Sequence, residues 1–398
     1  MNAKVSVVGV GMVPFAKPSA SLPYDQLGAL ATRAALADAG IDYTQVEQAY
    51  VGHVYGDSTS GQAALYDVGL SGIPIVNVNN NCATGSTALF LARQAIASGA
   101  AECVLALGFE QMQRGALGAQ FTDRPNPLER FQATMEGLQG AAPGTPVAAQ
   151  YFGGAARRHM QDHGTRADTF GRIAVKARSH AARNPLAVFR EPITLEEVMA
   201  SPTVFDPMTR LQCCPPTCGA GAAILCSEAF ARKHGLDARI TIAAQAMTTD
   251  RADSFDSGDM RRLIGFDMTR AAAQRVYEQA GVGPEDIDVI ELHDCFTANE
   301  LLSYEALGLV PEGGGEKMVL DGDNTYGGRW VVNPSGGLLS KGHPLGATGL
   351  AQCAELVWQL RGTAEQRQVA GARLALQHNL GLGGACVVTL YRLGDGAS

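Results

Sequence analysis

The chain of 398 residues lacks any uninterrupted apolar run of about 18 residues, so no segment is long enough to cross a bilayer as a helix. It lacks a positive excess: 31 Lys and Arg stand against 39 Asp and Glu, a net charge of −8. That balance argues against nucleic acid as a partner, and an anionic ligand would need a local basic patch. It also lacks a cysteine framework. The nine cysteines are an odd number without regular spacing. Cys213, Cys214 and Cys218 are clustered, but Pro215 and Pro216 interrupt them and no paired C-x2-C pattern exists, so no structural metal is expected. Cys103, Cys226, Cys353 and Cys386 lie within apolar runs, which suits reduced core thiols in a cytoplasmic enzyme. A dinucleotide fingerprint is missing too: Gly9-Val10-Gly11 begins one, but Pro14 stands at the next glycine position, and no Gly-Lys-Ser/Thr phosphate loop follows. Met1 to Val8 lead directly into a strand-like segment, so no signal peptide is expected. Asp395 to Ser398 carry no peroxisomal or endoplasmic-reticulum address.

What is present is a large apolar core with many tight turns: 46% hydrophobic residues, 18% charged and 47 glycines. Apolar strand-like runs alternate with helical ones, the pattern of an α/β fold with buried, partly parallel sheets. Four segments recur in the same order. Val5–Met12 resembles Ile240–Met247. Ala39-Gly40-Ile41 with Val46–Val51 resembles Ala280-Gly281-Val282 with Ile287–Leu292. Ala83-Thr84-Gly85 opens a helix ending at Gly99, as Ala347-Thr348-Gly349 opens one ending at Gly362. Gly219–Leu225 resembles Gly383–Thr389. The repetition predicts two similar halves, 1–237 and 238–398. In the first half an insert over 111–217 separates the core segments 1–110 and 218–237, and helical runs are expected at Tyr151–His163 and Ala167–Arg183. Long excursions from an α/β core usually shape a substrate site. The insert carries Arg157, Arg158, Lys176, Arg178 and Arg183, which a solvated helical face explains equally well.

Three predicted strand ends carry reactive side chains, at the place where α/β sheets gather ligands. The first is Cys82, in Asn79-Asn80-Asn81-Cys82-Ala83-Thr84-Gly85-Ser86, between an extended segment and a helix. At a helix N-terminus the thiol pKa is expected to fall, and free N–H groups are available to hold an oxyanion. The second is His293-Asp294-Cys295-Phe296. The third is His343, in Gly342-His343-Pro344-Leu345-Gly346. In the duplicated register the His343 loop is the counterpart of the Cys82 loop, so two related helix starts should bring a Cys and a His together, as nucleophile and base. A fourth strand, Leu374-Ala375-Leu376, leads through Gln377, His378 and Asn379 to Gly381, Gly383 and Gly384, whose backbone N–H groups could approach a thioester. Asp294 is expected to orient a neighbour or cap the following helix. His53, His159, His163, His180 and His234 lack comparable context.

These motifs together resemble the thiolase family, specifically its sterol-carrier-protein-X type, over essentially the whole chain, Cys213-Cys214-Pro215 and Asp323–Gly328 included. The resemblance implies a five-layered α/β/α/β/α fold of two similar halves with an inserted loop domain. It implies a 3-oxoacyl-CoA thiolase in which Cys82 is acylated, His343 activates it, His293 helps build an oxyanion site and Cys295 is the second acid/base. Ordinary thiolases take that acid/base from a C-terminal Cys-x-Gly motif. Here His378-Asn379-Leu380-Gly381 stands in its place, as the subtype leads one to expect, which puts a role for His378 in doubt. The backbone of Cys82 with Gly383 or Gly384 is the expected oxyanion contact. Coenzyme A enters as substrate, with no metal or tightly bound cofactor, and a homodimer or homotetramer is implied, the strand before Cys82 being a plausible interface. No appended lipid-transfer domain is expected. The alternatives are a retro-aldolase and a non-catalytic acyl-CoA-binding subunit, both of which would be expected to lack the full Cys and His set.

Overall fold

The computed structural model describes residues 4–113 and 121–394. Expectations about the first three and last four residues, and about 114–120 of the insert, fall outside them. The strands are β1 Val5–Met12, β2 Gln48–Gly52, β3 Ile75–Val78, β4 Cys103–Glu110, β5 Thr203–Phe205, β6 Met208–Thr209, β7 Gly219–Ser227, β8 Ile240–Thr248, β9 Val289–Glu291, β10 Val331–Val332, β11 Leu374–Gly381 and β12 Ala385–Leu393. β5 and β6 form a small hairpin; the other strands form one sheet in the order β10-β9-β11-β12-β8-β1-β7-β4-β2-β3. The order reads the same way from both ends. β3, β2 and β4 are parallel neighbours, with β7 and β1 antiparallel beyond them. β10, β9 and β11 are parallel neighbours, with β12 and β8 antiparallel beyond them. The two arrays meet through β1 and β8 at one registered pair, Ser6 and Thr241. The segments that repeat in sequence stand at mirror positions: β1 with β8, β2 with β9, β7 with β12.

The layers follow from which helices are apolar all round. Thr84–Ala97 and Thr348–Arg361 start and stop close to their glycine signals. Both are buried on most faces, the signature of a helix held between two sheets. Leu89, Ala92 and Ile96 of one pack with Leu350, Cys353 and Val357 of the other, between Val7, Ala106 and Leu225 on one side and Ile242, Ala375 and Tyr391 on the other. Outside them, Tyr24–Ala39 lays Leu27, Ala31 and Ala35 on Val51, Leu105 and Ile224. On the far side, Phe266–Ala280 lays Met268, Ala272 and Val276 on Leu376, Val388 and Leu390, beside Leu301 and Tyr304 of helix Thr297–Ala306. The result is the expected five-layered α/β/α/β/α stack, with its two sheets joined edge to edge.

The two central helices start almost in contact. A Cβ on Gly85 would stand 2.7 Å from the Gly346 oxygen and 3.1 Å from the Gly349 nitrogen; one on Gly349 would stand 2.3 Å from the Ser86 nitrogen. Only glycine permits that backbone approach, and it sets the distance between the loops preceding the helices.

Between β4 and β7 lie helices Glu129–Gln139, Val147–His163, Ala167–Ala181 and Leu195–Ala200. The second array needs only three residues, 382–384, to join β11 to β12. The basic residues of this insert are used locally. Lys176 pairs with buried Glu300, Arg158 with Asp162, and Arg178 and Arg183 lie over the rings of Phe189 and Tyr326. Among the described residues no helix is long and apolar enough to cross a membrane.

Gly349→Ala should destabilise the fold by about 1–3 kcal/mol through backbone overlap. Gly137→Ala, in the exposed helix Glu129–Gln139 where an added Cβ meets nothing within 4 Å, should instead stabilise by about 0.4–1 kcal/mol. Urea unfolding of both variants checks the contrast; equal effects would remove the significance given to the crossing.

Candidate active site

Cys82 lies in the turn between β3 and helix Thr84–Ala97, two residues before the helix starts. Asn81 takes a left-handed conformation (φ 51°). The turn is closed by Ala83 N–H to Asn80 O at 3.1 Å, Thr84 N–H to Asn81 O at 3.1 Å and Asn80 N–H to Thr84 Oγ1 at 2.8 Å. Asn81 Nδ2 donates to Leu382 O at 3.0 Å, pinning the turn to the β11–β12 hairpin. Gly381 packs directly on it, since a Cβ there would stand 2.4 Å from Asn80 O. Gly383 and Gly384, both left-handed, run past Leu128 and past Thr249 and Asp250 respectively.

His343 is buried in the loop before the second central helix. Its N–H donates to Thr217 Oγ1 at 2.6 Å and its Nδ1 is 2.7 Å from Thr348 Oγ1. Thr348 Oγ1 also reaches Pro344 O at 3.0 Å; when its proton is given there, Nδ1 donates to the hydroxyl and Nε2 is the bare nitrogen of the ring. Nε2 is buried without a partner. The His293 ring stands edge-on to it, centroids 5.0 Å apart. Cys82 Sγ and one ring nitrogen of each histidine all lie within 4.8 Å of one another. Three of the four residues expected to carry chemistry thus converge on one point.

Cys295 is the fourth. It is buried in an apolar cluster that also holds Phe296 and Leu338, with Phe131, Met135, Tyr151 and Phe152 of the insert. Phe152 and Phe296 stack at 4.8 Å. The Cys213-Cys214 segment pairs with this strand end: Cys214 N–H donates to Cys295 O at 2.9 Å. Negative charge on Cys214 or Cys82 raises the Cys295 thiol, and charge on Cys82 raises that of Cys214, so the three thiols share one electrostatic neighbourhood. Asp294 does cap a helix, though not the one that follows it. Its carboxylate accepts Leu338 N–H at 2.7 Å, capping the short helix Gly337–Ser340 that leads into the His343 loop.

His378 points elsewhere. β11 runs through Gly381 because its ladder with β12 continues to the Gly381–Ala385 pair. Alternation along the strand therefore sends His378 one way and Gln377 and Asn379 the other. His378 Nε2 meets Thr269 Oγ1 of the outer helix at 3.0 Å, and its Nδ1 faces the His293 N–H at 3.4 Å. Asn379 faces the site: its Nδ2 lies 3.1 Å from Cys82 O and 3.0 Å from His293 Nδ1. Composition held no signal for Asn379 except its place two residues beyond Gln377. His159 pairs with buried Glu305, His180 with Asn333 O and Thr325, and His53 with Asn77.

The expectation of an acidified thiol is corrected. Burial pushes the Cys82 thiol up to about 12, the nearby Glu110 carboxylate adds to this, and a backbone hydrogen bond offsets only part. The helix starts too late, and the N–H groups of Ala83 and Thr84 are already bonded within the turn. Burial lowers His343 to about 3. It holds His293 well below the ordinary imidazole range, with His343 and His378 adding to it, and raises Cys295 well above the ordinary thiol range. The resting centre is neutral thiols beside neutral imidazoles. Glu110, raised to about 7 by burial, accepts N–H bonds from Val54, Tyr55 and Gly346 and so clamps the His343 loop to the first half.

Family models place a thiolase N-terminal domain over residues 5–229 and a thiolase C-terminal domain-like region over residues 250–390. The chain is 58% identical over 98% of its length to rabbit (Oryctolagus cuniculus) sterol carrier protein 2, covering 72% of that protein. It is 38% identical, over 96% of both chains, to the benzoylsuccinyl-CoA thiolase subunit BbsB of Thauera aromatica. The solved Ltp2-ChsH2(DUF35) aldolase superposes with a TM-score of 0.83 at 27% identity, over 99% of this chain and 98% of the other.

Iodoacetamide labelling of Cys82, read by peptide mass, should climb steadily between about pH 7 and 10 without a plateau, as for a thiol whose thiolate is scarce. Glu110→Gln removes a neighbouring negative charge and should lower the thiol pKa, each unit raising the thiolate fraction about tenfold. A plateau near neutral pH would contradict the neutral resting pair.

Proposed function

The chain belongs to the thiolase family, and from that premise we propose that it is an acyl-CoA acyltransferase that cleaves 3-oxoacyl-CoA with coenzyme A. The observation that carries the reading is a buried cluster in which Cys82 Sγ, a ring nitrogen of His343 and one of His293 all lie within 4.8 Å of one another, while His343 Nε2 is buried and left without a partner. A base without a partner beside an un-ionised thiol is arranged to take that proton when substrate arrives.

In this reading Cys82 gives its proton to His343 Nε2 as its sulfur attacks the 3-keto carbon. The C2–C3 bond of the tetrahedral adduct breaks, leaving the acyl group on Cys82 and the enolate of acetyl- or propionyl-CoA. Cys295 protonates that enolate and becomes a thiolate. It then takes the thiol proton of incoming coenzyme A, whose sulfur attacks the acyl-Cys82 thioester. The departing Cys82 sulfur recovers its proton from His343. The tetrahedral oxygen needs N–H donors, and the backbone of Cys82 with the Gly383–Gly384 turn remains our assignment for them. His293 serves the enolate oxygen. The apolar cluster that Cys295 shares with Phe131, Met135, Tyr151 and Phe152 suits an acyl chain, and we assign the activity to degradation of fatty acyl, branched-chain or sterol side-chain substrates.

We assign the protein to the cytoplasm, in keeping with nine free cysteines. We further assign a homodimer or dimer of dimers. β3 is an edge strand of the sheet, and Val76 on it and Leu70 nearby are 45% and 79% exposed, an apolar edge that a second copy would cover. The halves 1–237 and 238–398, with 111–217 as the inserted loop domain, are the corresponding domain assignment.

Intact-mass measurement after mixing with a 3-oxoacyl-CoA should show an acyl adduct on the wild type and none on Cys82→Ala. Cys295→Ala should lose turnover by about 100-fold or more. No adduct on the wild type would sink the mechanism, and unchanged turnover in Cys295→Ala would remove that residue from it. Aldol-type cleavage without an adduct would instead favour the lyase chemistry of the structurally similar aldolase.

A further inference from the structure

A further assignment follows from a single side-chain amide. Asn379 Nδ2 lies 3.1 Å from Cys82 O and 3.0 Å from His293 Nδ1. A carbonyl oxygen can only accept, so the atom facing it is the amide nitrogen. The same nitrogen faces His293, so Nδ1 accepts and holds no proton. The neutral ring must then carry its proton on Nε2.

The amide cannot turn over without breaking a buried chain of bonds. Its oxygen accepts from Ser86 Oγ at 2.8 Å. Ser86 has its proton free for this because it accepts in turn from Gln377 Nε2 at 2.8 Å. Gln377 is oriented by donating to Gly349 O at 2.7 Å and by accepting from the Tyr391 hydroxyl. Every member has one direction only, and Ser86 and Gly349 sit at the helix crossing described above.

We propose that Asn379 is a positioning residue that fixes His293 in its Nε2–H form and ties it to the backbone of the nucleophile, so that His293 is a hydrogen-bond donor while His343 is a base. The two histidines of the cluster have opposite tautomers, one set by Thr348 and the other by Asn379. A divalent ion would need a lone pair from each ring, whereas this arrangement offers one lone pair and one N–H. That is the combination for taking a thiol proton and holding a developing oxyanion in the same pocket. The use made of the N–H rests on the thiolase reading; the tautomer does not.

The test separates the two. In 15N-histidine-labelled free protein, NMR should show His293 protonated at Nε2 and bare at Nδ1. No substrate is involved, so this outcome stands or falls apart from any acyl adduct. Asn379→Asp places a carboxylate oxygen against Nδ1. The Nδ1–H or doubly protonated ring should then appear in the same spectrum. The kcat should fall about 100- to 1,000-fold, as for loss of one oxyanion donor, with KM little changed. A new ionisation should enter the kcat–pH profile, because a carboxylate beside His293 favours its charged form over the opposition of His343 and His378. Observation of Nδ1–H at His293 in the wild type would overturn the proposal. So would an Asn379→Asp enzyme with unaltered tautomer and kcat.

Discussion

The close crossing of two helix starts at Gly85 and Gly349 is the constraint on which the rest depends. With no side chain at either position, the backbones approach to distances that a single Cβ would forbid. The loop before each helix is carried with it, so Cys82 and His343, 261 positions apart by their numbering, become neighbours. Gly346 adds a third close approach, its oxygen lying 2.2 Å from where a Cβ on Gly108 would be. The price in chain entropy for so many glycines is met by burying the two helices between two sheets, where apolar burial is worth about 25 cal/mol per Å2.

The same burial decides the electrostatics. A thiol near a helix start would ordinarily be acidified, but here desolvation and Glu110 dominate and the thiol is held up near 12. His343 is held down near 3 by the same cause. A pre-formed thiolate–imidazolium pair is therefore unfavourable at rest, and ionisation is deferred until a substrate carbonyl can receive the charge. Donors poised for that moment gain strength from the low polarity that makes the resting ions unfavourable.

Polar groups inside such a core must be satisfied. Tyr391, Gln377, Ser86 and Asn379 form a chain with a single direction, Thr348 orients His343, and Asp294 ties the His293–Cys295 turn to the helix before His343. What packing leaves without a partner is informative by contrast: His343 Nε2 is one of the buried atoms left unpaired, on a ring that clusters with the nucleophile.

Much of this was legible in the sequence. Repeated segments announced mirror-related strands because each half buries the same pattern of apolar runs. Glycine stops marked the helix ends, and Cys82, His293, Cys295 and His343 stood out because such side chains rarely sit at strand ends beside glycines for packing alone. Three matters were decided only by the tertiary structure. The thiol's ionisation depends on how much solvent is excluded and on Glu110, which arrives from another strand. The division of labour between His378 and Asn379 depends on β11 continuing in register to Gly381, which points neighbours to opposite faces. The proton positions on the two histidines depend on Thr348 and Asn379, and Asn379 meets its partners only across the assembled halves. Local periodicity encodes which segments form and where they stop. Desolvation, strand register and long-range hydrogen bonds arise from neighbours far away in the chain, and only the folded structure supplies them.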